Sequence, residues 1–190
     1  MKFPVVLPAL LLGALPSLAL ADMAATARDY ANENLMQLAR DPAIVSAILA
    51  QNDAHAGLTP AQIDALDKTW RAEIDSAQRP MIDALLGNTA SEHLRAQIED
   101  TGGFVVEAFV MDNLGLNVAA AAPTSDYWQG DEAKFSETYP QGAGAIHVSD
   151  VEFDESSQRY QVQVSFTVTD PQTDAPIGAM TVALDAEMLE

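Results

Sequence analysis

The sequence predicts an α+β fold, in which long N-terminal helices precede a five-stranded, mostly antiparallel sheet. Two observations carry this. Residues 22–101 place apolar side chains at helical spacing behind three capping signals. Residues 102–190 then change to period-two patterning, cut by short turn sequences.

The elements follow in order. Tyr30, Leu35 and Leu38 fall near helical spacing between Met23 and Arg40. Asp41-Pro42 reads as an N-cap with proline at the first helical position of a short apolar helix, Pro42 to Ala50. In Leu58-Thr59-Pro60-Ala61-Gln62, Thr59 caps, Pro60 starts the helix and Gln62 reaches back as in a capping box. Ile63, Leu66, Trp70 and Ile74 form its apolar stripe, and Pro80 is expected to kink or end it. Thr89-Ala90-Ser91-Glu92 reads as a third cap, and Gly102-Gly103 stops the helix that follows.

Phe104 to Met111 and Leu116 to Ala121 read as strands joined by the turn Asp112-Asn113-Leu114-Gly115. Three more strands are expected at Ala145 to Phe153, Arg159 to Thr169 and Ile177 to Asp185. The fourth alternates cleanly. Tyr160, Val162, Val164, Phe166 and Val168 share one face, while Gln161, Gln163, Ser165, Thr167 and Thr169 share the other. The first face suits a core of helices. The second is polar without charge, and either meets solvent or lines a wet pocket.

The opening MKFPVVLPALLLGALPSLALA reads as a secretory signal peptide cut after Ala21, since Ala19-Leu20-Ala21 has the small-x-small form. The run is short for a membrane span. Residues 22–190 are then one exported domain, periplasmic, with a helical part (22–101) and a sheet part (102–190). With 28 Asp and Glu against 9 Lys and Arg, the chain carries a formal charge of −19. Such a field repels nucleic acid and anionic lipid, and attracts cations or amines. The chain has no cysteine, which excludes thiol catalysis and thiolate metal sites.

Nothing in the chain names an enzyme. His55, His93 and His147 stand far apart, without metal spacing, and no nucleophile elbow or phosphate loop is present. Asp150, Glu152 and Asp154 alternate along a strand, which accounts for them without calcium. No catalytic residue, metal or cofactor is expected.

Binding chemistry gathers instead in Thr124 to Phe135, TSDYWQGDEAKF, within a long irregular stretch of about the length that loops reach as lids or binding loops. Tyr127 and Trp128 supply rings, and Asp126, Asp131 and Glu132 supply carboxylates. Rings with carboxylates suit an amine, whereas rings with Lys134 suit a carboxylate. The competing reading is that Trp128 and Phe135 pin the loop to the core while the acids face water.

Residues 103–189 resemble a Cache-type sensor domain, of the single-module kind also called PDC sensor. The resemblance lies in VMDNLGLNVAA, TSDYWQGDEAKF and VSFTVTDPQTDAPIGAMTVALD, in that order. It implies a PAS-like antiparallel sheet with a long N-terminal helix beside it. Ligands would bind between the sheet and the loop after the second strand. Carried over by position, Tyr127, Trp128 and Asp131 match the loop side of that pocket. Asp170 matches the aspartate of the last hairpin that holds a ligand amine, and Asp112 matches a turn aspartate. Amino-acid-binding members place an arginine shortly before the loop tryptophan. Thr124, Ser125 and Asp126 stand there instead, which counts against an α-amino acid. The expectation is a small-molecule sensor with Tyr127 and Trp128 as ring walls, Asp131 and Asp170 as polar anchors and Asp126 as a further contact. Its signal would pass to a separate membrane receptor or kinase. The alternative is a non-catalytic interaction subunit, pairing with itself through the N-terminal helices or with a receptor.

Overall fold

The computed structural model describes residues 17–154 and 158–189. The expected export segment lies outside the described residues apart from 17–21, which begin helix α1. Among the described residues, no helix is long and apolar enough to cross a membrane.

Helix α1 (Ser17–Tyr30) continues through a π-helical turn (Ala31–Leu35) into α2 (Met36–Leu38). Ala27, Ala31, Leu35 and Ala39, four apart, are all buried. On an α-helix that spacing drifts around the surface by about 40° per step. The π turn winds more slowly and absorbs part of the drift, so the stripe stays against the sheet.

Helix α3 (Pro42–Ala54) is capped as the sequence predicts, with the Asp41 carboxylate accepting from the Ala43 N–H at 2.8 Å. Helix α4 (Pro60–Ile74) starts with the Gln62 side chain accepting from the Thr59 N–H at 2.9 Å. It ends at Ile74, before Pro80 is reached. Pro80 instead opens a separate helix, α5 (Pro80–Leu86), where its missing N–H costs nothing. Glu73 bridges the break: its Oε2 accepts from the Met81 and Ile82 N–H groups at 2.8 and 3.0 Å.

The cap of α6 (Thr89–Glu99) is Asn88 rather than Thr89. Asn88 Oδ1 accepts from the Ser91 N–H at 2.8 Å, and its Nδ2 donates to the Val118 carbonyl at 2.9 Å. Threonine could serve the first role but has no amide to serve the second. Asn88→Ala is therefore expected to destabilise the protein by about 1–2 kcal/mol, read from urea unfolding, with Thr89→Ala close to neutral.

The sheet runs β2 (Asn117–Ala120), β1 (Val105–Met111), β6 (Pro176–Asp185), β5 (Arg159–Thr169), β3 (Ile146–Val148), all neighbours antiparallel. A sixth strand, β4 (Glu152–Asp154), pairs β5 on the same edge as β3. The single strand expected over 145–153 is thus two. Between them Ser149, Asp150 and Val151 oppose only Val162 and Gln163, which is a β-bulge. Ser149 holds it, its hydroxyl oxygen accepting from the Gln163 N–H at 2.9 Å.

Two cores flank the sheet. On one face Val162, Val164, Phe166, Met180, Val182 and Leu184 pack against α1, α3 and α6. On the other, Phe109, Met111 and Ala179 meet Trp70, Ile82 and Tyr127 from α4, α5 and the loop after β2. The sheet is therefore covered on both sides, and the polar face of β5 does not meet open solvent.

Candidate functional site

Residues 121–144 form the loop after β2, with a short helix α7 (Ala133–Ser136) and a 3-10 turn (Tyr139–Gln141) inside it. It is fixed at its start by one carboxylate. Asp67, on α4 and 8 % exposed, accepts from the N–H groups of Tyr127 and Trp128 at 2.9 and 3.0 Å. Its other oxygen accepts from Arg71 Nε at 2.7 Å. Trp70, fully buried on the same helix, donates its indole N–H to the Thr124 carbonyl at 2.8 Å. Asn117 adds bonds to the Thr124 hydroxyl and the Asp126 carbonyl.

A second anchor joins the loop to the β1–β2 turn. Trp128 donates its indole N–H to the Leu114 carbonyl at 2.9 Å and bridges Leu116. The indole lies over Gly130, where a Cβ would stand 2.3 Å from Trp128 Nε1. Gly115, at φ +80°, packs its backbone on Gly130. Both glycines are needed for that approach, which explains the Leu-Gly and Gln-Gly pairs of the sequence.

Under this loop lies a cavity of about 450 Å³. Its floor is the polar face of the sheet: Glu107 and Phe109 from β1, Gln161 and Gln163 from β5. The loop supplies Pro123, Thr124, Ser125, Gln129 and Lys134. Ile74, Arg79 and Asp154 close the sides. The uncharged polar alternation of β5 is thus a pocket lining, one of the two readings that the sequence allowed.

None of the five residues singled out from the sequence lines this cavity; four of them belong to the loop above it and Asp170 lies outside that loop. Tyr127 is buried and packs its ring on Trp70 at 5.5 Å. Burial, and then the Asp112 charge, push its phenol well above the usual range. Trp128 is half-buried against the turn. Asp126 pairs with Arg71 at 3.2 Å, and burial raises its carboxyl above the ordinary value although Arg71 opposes this. Asp131 is exposed. Asp170 stands at the opposite end of β5 from Gln161, and its carboxylate is taken by its own hairpin: it accepts from the Gln172 N–H at 2.9 Å and the Thr173 hydroxyl at 2.8 Å. The structure so brings Asp126, Tyr127 and Trp128 together as loop anchors and keeps Asp170 apart from them.

The residues that sequence reasoning missed are Glu107, Arg79 and Gln129. Glu107 had a signal: it is the one charge within the apolar β1 segment VVEAFVM. It stands opposite Ala183, which stands opposite Gln163, so all three share the cavity face. Lys134 places its ammonium 5.5 Å from the centre of the Phe109 ring and 2.9 Å from Glu132 Oε2. Among the described residues no three His, Asp or Glu side chains form a cage for a metal ion.

No family model matches the sequence, and no curated protein matches it. Solved structures do. The sensor domain of the V. cholerae histidine kinase DctB superposes with a TM-score of 0.51 at 16% identity, over 90% of this chain and 54% of that one. The ligand-binding domain of the Campylobacter jejuni chemoreceptor Tlp3, solved with 4-methylisoleucine, gives a TM-score of 0.44 at 13% identity, over 90% of this chain and 57% of that one. This chain therefore spans little more than half the length of those sensor domains. The chain shares its fold, N-terminal helices packed beside an antiparallel sheet, with the DctB sensor domain.

Proposed function

We propose that the protein is an exported, non-catalytic sensor that binds a small polar molecule between the sheet and the 121–144 loop. The observation that carries this is the cavity itself. A two-layer packing of α4, α5 and the loop on the sheet encloses polar side chains at its centre where an apolar core would be more stable. In this reading Asp126, Tyr127 and Trp128 serve the site by holding the loop in place. Differential affinity for the closed loop is the mechanism, and a separate membrane receptor or kinase takes the signal. Removal of residues 1–21 and a periplasmic location belong to the same reading.

A thermal-shift screen of the purified protein against amines, amino acids, carboxylates and purines tests it. A ligand at about a hundred times its Kd adds about 2.7 kcal/mol, a readable shift. Gln163→Phe, which fills the floor of the cavity, is expected to remove that shift. Hits that bind the variant unchanged, or a flat screen on folded protein, would sink the cavity as a ligand site.

A further inference from the structure

The cavity wall is not balanced in what it offers a ligand. Its cations are already engaged: Lys134 pairs with Glu132 at 2.9 Å and Arg79 with Asp83 at 3.3 Å. Asp154 has a partner as well. Glu107 does not; among the described residues its carboxyl makes no hydrogen bond or ion pair. Gln129 lines the same cavity and is 1 % exposed. Its Nε2 donates to the Asp126 carbonyl at 2.8 Å, but its Oε1 accepts from nothing among the described residues. A buried acceptor left without a donor is costly. Both unmet demands are for donors.

We propose that the ligand of this cavity carries a primary ammonium group, held by the Glu107 carboxylate with Gln129 Oε1 as a second acceptor. The proposal rests on the cavity being the ligand site and names the chemistry read there. A carboxylate ligand would have to share Lys134 with Glu132, or Arg79 with Asp83, while facing Glu107. A neutral ligand would gain no charge-assisted bond. The acidic surface also concentrates cations around the protein before they bind.

The groups facing Glu107 fix a pH dependence. Burial raises its carboxyl above the ordinary range; Lys134 opposes this, while Asp154 and Glu132 add to it. Arg79 completes the charged groups of the wall. Ammonium binding therefore weakens as pH falls into that raised range. In the free protein the sign is opposite: the protonated Glu107 contributes stability that is lost as pH rises through its folded value.

Isothermal titration with n-butylammonium, n-butanol and n-butyrate on the whole purified protein decides the matter. Butylammonium is expected to bind more tightly than the other two. Glu107→Gln, which keeps the shape and removes the charge, should weaken butylammonium by about tenfold or more and leave butanol unchanged. The variant should also unfold no earlier than the parent at neutral pH, which separates lost binding from lost folding. Butylammonium binding that stays within about twofold in Glu107→Gln overturns the proposal. Tighter binding of butyrate does so too, as does no binding of butylammonium at all. In each of those cases the cavity reading stands or falls separately, on whether Gln163→Phe removes the shift of any other hit.

Discussion

Asp112→Ala is expected to destabilise the protein by about 3–5 kcal/mol, the largest effect of any single polar substitution here. Asp112 is fully buried, at 0 % exposure. One oxygen accepts from the N–H groups of Leu114 and Leu116 at 2.8 and 2.9 Å, which shapes the β1–β2 turn. The other meets Gln51 Nε2 at 3.0 Å and His55 Nδ1 at 2.7 Å, which fastens that turn to the end of α3. Alanine leaves the Leu114 and Leu116 N–H groups and His55 Nδ1 without this acceptor, while Gln51 Nε2 keeps only the Leu116 and Asn117 carbonyls. Asp112→Asn is the informative control. Its carbonyl can still serve Leu114 and Leu116, but its amide confronts two donors, so about half the loss is expected to remain. Urea unfolding of both variants reads the difference. Equal losses would mean that the turn depends on the helix contact alone.

Asp112 shows what the sequence could and could not tell. Asp-Asn-Leu-Gly was legible as a turn because its residue types carry local backbone preferences: an aspartate that binds its own backbone and a glycine at positive φ. Its second oxygen, reaching 57 residues back to His55, leaves no local trace. The same division runs through the rest of the fold. Periodicity gave the longer helices but not α5 or α7, the alternation of β5 and the change from helix to sheet. It misplaced the cap of α6, because Asn88 was preferred over Thr89 for a tertiary bond to Val118. It merged β3 with β4, because a one-residue bulge keeps both halves looking like strand.

At the site, the loop that covers the cavity could be found from its length and its rings. Which of its side chains turn toward the sheet could not. Tyr127 and Trp128 look like ligand walls in sequence, and an indole or phenol packs as readily on Trp70 or a turn as on a ligand. Glu107 was overlooked for the reverse reason. A lone charge in an apolar strand reads as an interruption until the strand order places it beside Gln163, with a loop above it.

The second large effect expected is at Asp67, which lies in no motif. Asp67→Ala should cost about 2–4 kcal/mol, since it strips acceptors from the Tyr127 and Trp128 N–H groups together. Arg71 is less affected because Asp126 still holds it, at 3.2 Å. The position matters more than the sum. Tyr127 and Trp128 are where the loop turns down onto α4, directly before the Gln129 that lines the cavity. Freeing that turn loosens the cavity roof without touching its floor. Asp67→Ala should therefore raise amide exchange across 124–130 far more than in β5 or β6, and weaken any cavity ligand by more than the global stability loss explains. Asp67→Asn keeps one acceptor for the two N–H groups and should recover most of the exchange protection. If protection falls evenly across the sheet and the loop, Asp67 is a fold residue only, and the loop does not move independently of the sheet beneath it.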